Sequence, residues 1–237
     1  MAKDFVYKRI LLKLSGEALA GEGGFGFDKD IIDRTVEEIE ELIANGIEVC
    51  LVVGGGNMLR GAQNDHMDRS RADYIGMLAT VMNSLMLQDA FESRGYKACV
   101  LSALPIEGVA PIFSKEAALC CMSEGCVVIC AGGTGHPFFT TDGTAVLRAL
   151  EVEADVLIKA TKVDGVYDCD PRKNAKAIKF DTITYHETIE KNLGVMDLSA
   201  VAMCMENKLP LIVLNMNEHG AVYAACKGKP VGTTVTL

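Results

Sequence analysis

The sequence predicts an α/β fold built on a mostly parallel central sheet, and three observations carry that expectation. Short apolar runs alternate with longer helical patterns from one end of the chain to the other, the rhythm of repeated strand–helix–strand units. The runs are almost continuously apolar, as strands covered on both faces require. Lysines or glycines follow several of these runs at once, where an open parallel sheet presents its ligand site.

The elements follow in chain order. Arg9 to Leu14 is the first apolar run. Ile31, Ile32, Val36, Ile39, Leu42 and Ile43 then recur at helical spacing, with Asp28 placed to cap the start and Gly46, after Asn45, to stop the end. Val49 to Val53 is the second run. A long helical pattern extends from about Asp68 to Arg94 and stops at Gly95. Its Met77, Leu78, Val81, Met82, Leu85, Met86 and Leu87 are too many apolar side chains for one solvent-facing helix. The helix is therefore expected both to enter the core and to meet another subunit. Ala98 to Leu101, Val127 to Cys130, Val156 to Ile158 and Leu211 to Leu214 complete the strands, and Thr140 or Thr141 is placed to cap a helix beginning near Asp142. Gly21 to Gly26 and Cys169 to Lys179 read as mobile loops. No repeat or linker divides the chain, so its 237 residues are expected to form one domain.

Composition narrows the partners. A formal net charge of −9 argues against nucleic acid or an acidic membrane surface. No stretch of about 18 uncharged apolar residues is present to span a bilayer. The start, Met1-Ala2-Lys3-Asp4-Phe5, lacks the pattern of a signal peptide, and a cytoplasmic location is expected. Nine cysteines lie mostly in apolar segments with no Cys-x-x-Cys pair, and most are expected to be buried thiols rather than metal ligands. An anionic ligand must then be held by a local basic cluster.

Four strand ends supply candidates. Lys13 stands inside Leu12-Lys13-Leu14-Ser15-Gly16, where an unpaired buried ammonium is expensive; it either snorkels out at the edge or meets a ligand. Gly54-Gly55-Gly56-Asn57 ends the second strand and precedes Arg60. Its backbone N–H groups can approach phosphate oxygens, and Arg60 can add a bidentate clamp; an ordinary tight turn would also explain the glycines. The spacing fits neither a Walker A loop nor a dinucleotide fingerprint. The loop from Ala131 to Asp142 crowds glycines, hydroxyls and two phenylalanines before a helix start, a place where phosphate binds; Phe138 and Phe139 could wall a base or serve as hydrophobic anchors. Lys159 and Lys162 come from a further strand, suited to neutralising a transferring phosphoryl group or to plain solvation. No Ser/His/Asp or Cys/His arrangement emerges from the spacing, and hydrolysis is set aside.

At these residues the chain resembles the amino acid kinase family, and within it the bacterial members that phosphorylate UMP. The resemblance covers nearly the whole chain. It is carried by Lys13-Leu14-Ser15-Gly16-Glu17, Gly54-Gly55-Gly56-Asn57, Arg60-Gly61, Asp73 with Gly76 to Asn83, Phe138 to Asp142, Lys159 to Tyr167, and Val195-Met196-Asp197-Leu198. It implies a three-layer αβα sandwich, ATP-dependent conversion of UMP to UDP, Mg²⁺ carried by the nucleotide phosphates, and a homohexamer. It also implies roles. Lys13, Leu14, Ser15 and Gly16 would contact ATP phosphates, with Gly56 and Arg60 at the meeting point of donor and acceptor. Gly55 and Asp73 would hold UMP, which the loop Thr134, Gly135, His136, Pro137, Phe138, Phe139, Thr140 and Thr141 would wrap. Thr161, Tyr167 and Asp170 would hold the ATP nucleoside. Asp142 would organise the catalytic lysines, with Lys162 and Asp197 as further participants.

Two departures stand out. Relatives commonly carry asparagine in place of His136. Gln88, Glu92, Cys99 and Cys126 occupy stretches where some members place Arg or His for effectors, so activation by GTP and inhibition by UTP stay open. The rival readings are a kinase of the same fold acting on carbamate or an amino acid carboxylate, and a catalytically silent nucleotide sensor.

Overall fold

The computed structural model describes residues 5–58, 67–174 and 176–237, apart from the side chain of Glu22. Along these residues the chain runs β1 (Arg9–Leu14), α1 (Gly16–Leu19), a 3-10 turn at Gly21–Gly23, α2 (Lys29–Ala44), β2 (Glu48–Val53), α3 (Arg69–Ser93), β3 (Ala98–Ser102), α4 (Lys115–Ser123) and β4 (Val127–Ala131). It continues with α5 (Thr141–Glu151), β5 (Val156–Thr161), a hairpin of β6 (Val166–Tyr167) and β7 (Lys179–Phe180), β8 (Thr182–Thr184), α6 (Tyr185–Glu190), α7 (Leu198–Glu206), β9 (Leu211–Asn215), α8 (Ala221–Cys226) and β10 (Thr233–Thr236). All six strands read from the sequence are present, and so are the helices that follow Asp28, Asp68 and Thr140. Asp28 caps α2 by accepting from the N–H groups of Asp30 and Ile31, and Gly46 leaves it at φ +80°.

Eight strands form one sheet in the order β3-β4-β2-β1-β5-β9-β10-β8. The first six run parallel, whereas β10 joins β9 antiparallel and carries β8 with it. Alternate side chains of each strand feed two cores. Ile10, Leu12 and Leu14 of β1 pack with α2, α3 and α8 on one face; Leu11 packs with α4, α5, α6 and α7 on the other. These are the three layers of an αβα sandwich. β1 lies between β2, which follows it, and β5, which returns from far along the chain, so strand order reverses there. Ligands of open α/β sheets bind at such a reversal, beyond the carboxyl ends of the strands.

Among the described residues, no helix is long and apolar enough to cross a membrane. The nine cysteines are free, but only Cys50, Cys130, Cys204 and Cys226 are buried. The expectation that most would be buried is corrected: Cys120 and Cys169 are exposed, and Cys99, Cys121 and Cys126 are partly so, because they sit at strand starts, helix ends and turns rather than in strand centres.

Candidate active site

The charged centre of the molecule is assembled from three elements. Lys13 on β1 and Lys159 on β5 are register partners, one strand apart and facing the α5 side of the sheet. Thr140 caps α5 by accepting from the Gly143 N–H at 3.1 Å, which places Asp142 in the first turn. Asp142 then bridges the two lysines: Oδ1 lies 3.0 Å from Lys13 Nζ, and Oδ2 lies 2.8 Å from Lys159 Nζ. Lys159 also donates to the Val195 carbonyl at 2.6 Å. Burial pulls the Lys159 pKa down; the Asp142 carboxylate opposes this, and the Lys13 ammonium reinforces it. Two ammonium groups thus converge at neighbouring strand ends, and they are the cations an anionic ligand would meet there.

Asp197 adjoins this locus from the start of α7. It accepts from Ser199 Oγ at 2.6 Å, from the Ala200 N–H at 3.0 Å and from the Thr140 hydroxyl. Burial works against its ionisation, but these hydrogen bonds outweigh it and hold the carboxyl below the usual range. Thr140 therefore ties the start of α5 to the start of α7.

The glycine segments form the floor. A Cβ on Gly16 would stand 2.3 Å from Gly54 O, and one on Gly55 would stand 2.7 Å from Gly76 O. The backbones following β1 and β2, and the backbone of α3, thus approach closer than any side chain allows. Asn57 and Asn83, both buried, hold the loop by exchanging side-chain hydrogen bonds of 2.7 and 3.0 Å. Asn83 also donates to Gly54 O at 2.6 Å, and Asn57 to Gly26 O at 2.8 Å.

Beside this floor opens a cavity of about 450 Å³. Gly55, Gly56, Asp73, Thr134, His136, Phe139, Thr140 and Thr141 line it, together with Arg69, Gly76, Met77 and Thr80 of α3. Asp73 accepts from the Phe138 N–H at 2.7 Å and from Arg69 Nε at 3.0 and 3.1 Å, closing the loop against α3. Phe138 itself adopts φ +70°, is 68% exposed and lies 5.7 Å from the Arg69 guanidinium, so of the two phenylalanines Phe139 is the one on the cavity wall. Arg69 is absent from the candidates the sequence offers; its spacing of four residues before Asp73 on a helix is the signal that marks it.

On the other side of β5, Lys162 is exposed and, with Thr161, lines a second cavity of about 430 Å³ between α2 and the β9–α8 connection. Lys159, not Lys162, is the lysine that Asp142 holds. Tyr167 donates to Asp164 at 2.6 Å, and Asp170 accepts from the Arg172 N–H at 3.0 Å. Arg60 lies outside the described residues.

Residues 8–215 match the amino acid kinase family. Proteins named uridylate kinase from Alcanivorax borkumensis and Magnetococcus marinus are each 51% identical to this chain. The first alignment covers 97% of this chain and 92% of that protein; the second covers 96% and 95%. Among solved structures, UMP kinase from Bacillus anthracis superposes with a TM-score of 0.94 at 37% identity, over 97% of this chain and 96% of that one. UMP kinase from Ureaplasma parvum gives 0.92 at 35% identity, over 97% and 99%. With its three-layer architecture, its glycine floor and a match spanning most of its length, this chain belongs to the amino acid kinase family.

Proposed function

We propose that this protein transfers the γ-phosphoryl group of ATP to UMP, giving ADP and UDP. The observation that carries the reading is the Asp142-bridged pair of Lys13 and Lys159, set beside a cavity of the size small-molecule sites occupy, about 300–1,000 Å³. The names of the relatives and of the structural neighbours support it.

Lys13, Leu14, Ser15, Gly16 and Gly56 hold the donor phosphates, and Thr161, Tyr167 and Asp170 its nucleoside. Gly55, Asp73 and the loop Thr134 to Thr141 hold UMP. Asp73 retains acceptor capacity for ribose hydroxyls, since a carboxylate offers about four lone-pair sites. The attacking phosphate oxygen of UMP is already anionic, so transfer needs positioning and charge neutralisation rather than a base. Lys13 and Lys159 provide the neutralisation, Asp142 and Asp197 fix the elements that present them, and Lys162 and Arg60 act on the donor side. Mg²⁺ would enter with ATP and neutralise charge on its phosphates; Asp142 Oδ2 and Asp197 already accept hydrogen bonds from protein groups.

The whole chain acts as one kinase domain in the cytoplasm, assembled as a homohexamer, with GTP and UTP as candidate effectors of its rate. A coupled ADP-release assay with ATP and Mg²⁺ across UMP, CMP, AMP, GMP, carbamate and amino acids tests the acceptor. Turnover with UMP well above the others is expected. Turnover only with a carbamate or an amino acid, or with no acceptor at all, overturns the reading.

A further inference from the structure

The second cavity, of about 430 Å³, lies against α2 and holds a carboxyl group that nothing above uses. One end is formed by Ala18 and Gly21, just beyond the Ser15-Gly16 turn. A Cβ on Gly21 would stand 2.2 Å from Asp28 Oδ2, so this end abuts the start of α2. Ile31, Thr35 and Glu38 then line the wall at helical spacing, which carries it about 10 Å along the helix axis. Thr161, Lys162 and Met216 line it from the carboxyl ends of β5 and β9.

Glu38 is only 7% exposed, and its two oxygens are used unequally. Oε1 accepts from the Gly220 N–H at the start of α8 and lies 3.1 Å from His219 Nδ1. Oε2 is buried and has no hydrogen-bond partner among the described residues. The neighbours do not supply one. The Thr35 hydroxyl donates to Ile31 O at 2.8 Å, and Arg34, which also lines the cavity, is exposed and makes no contact with Oε2. A buried acceptor without a donor is costly, and in the wall of a cavity a ligand can provide what the protein withholds.

We infer that Glu38 is a specificity residue for the donor nucleotide, with Oε2 accepting from the exocyclic amine of a 6-aminopurine base. The inference rests on the proposed function and deepens it. Phosphates held at Ser15 and Gly16 leave the nucleoside to extend past Ala18 and along α2, where Met216 offers a polarizable thioether to the ring. Of the residues assigned above to the donor nucleoside, Thr161 lines this cavity, whereas Tyr167 and Asp170 do not. The base is therefore placed against α2 rather than against the hairpin of β6 and β7. A 6-oxopurine presents an oxygen where adenine presents N–H groups, which sets acceptor against acceptor at Glu38.

Calorimetric titration of the intact protein with ATP and with ITP, each with Mg²⁺ and without UMP, tests this. The unmodified protein should bind ATP at least about tenfold more tightly than ITP, the discrimination expected of one hydrogen bond to a charged acceptor. In E38Q the Gly220 N–H still requires an oxygen, so the amide nitrogen falls at the Oε2 position and donates into the cavity. The preference for ATP should then vanish or invert toward ITP, a change that a merely structural role for Glu38 would not produce. Equal binding of the two nucleotides by the unmodified protein overturns the inference without recourse to the variant and leaves the proposed function standing. So does a preference for ATP that E38Q keeps. No binding of ATP at all overturns the proposed function as well.

Discussion

At the residue scale, the central feature is one carboxylate shared by two lysines. Lys159 is an ammonium that burial disfavours, so its folded pKa lies below the value of about 10.4 for an unfolded chain. Between those two values the unfolded chain binds more protons, and stability contributed through this group rises with pH. Under the proposed function activity runs the other way, because there the charged form of Lys159 neutralises the phosphoryl group. The rate of UDP formation should therefore fall, as pH rises, at a pH below that of an ordinary lysine. K159R, whose guanidinium stays charged, should move that limb to higher pH; an unmoved limb would assign it to another group. Asn83 offers a stability test. N83A leaves Gly54 O and Asn57 Oδ1 without their buried donor, a loss of about 1–3 kcal/mol. The melting temperature should drop by about 2–4 °C for each kcal/mol in a chain of this size. Much of this scale was legible in the sequence: Lys13 and the triple glycine announced themselves by interrupting apolar strands. The choice between Lys159 and Lys162 was not, because both end the same strand and only the position of α5 decides which one Asp142 reaches.

At the element scale, α3 does two jobs. Its Gly76 carbonyl crowds the glycine loop, and its Asn83 and Thr80 hold that loop and the Gly132 N–H. G55A puts a Cβ 2.7 Å from Gly76 O and 3.0 Å from Ala79 Cβ, so backbone must move. A raised KM for UMP with the fold retained by circular dichroism is expected, and unchanged kinetics would mean that the loop does not set the acceptor position. Of the long helices, α2 is legible because cap and period coincide after Asp28, and α3 from its length and its stop at Gly95. The short elements β6, β7, β8 and β10 were not, since two to four residues carry no period. The antiparallel join of β10 to β9 is not legible either, because that pairing depends on contacts that no local pattern encodes.

At the scale of the whole molecule, the other face of α3 is uncovered. Tyr74, Ile75, Leu78 and Met82 form an exposed apolar stripe, with Leu78 49% and Met82 50% accessible. A second copy of the chain is the proposed cover. L78D, at a position exposed in the single chain, should reduce the oligomer in analytical ultracentrifugation while leaving secondary structure intact; an unchanged sedimentation coefficient would place the contact elsewhere. The sequence showed the surplus of apolar residues on this helix but not which of them the core absorbs, because that depends on where β3 and β4 lie beneath it. The topology that brings β5 beside β1 was likewise beyond local pattern, and the site forms only through that pairing. The most direct test of the account is UDP formation from ATP and UMP, followed for the unmodified protein and for D142N. UDP and ADP in equal amounts are expected from the unmodified protein, with a rate reduced about a hundredfold or more when the lysines lose their shared carboxylate. No UDP from the unmodified protein, or an undiminished rate from D142N, would contradict it.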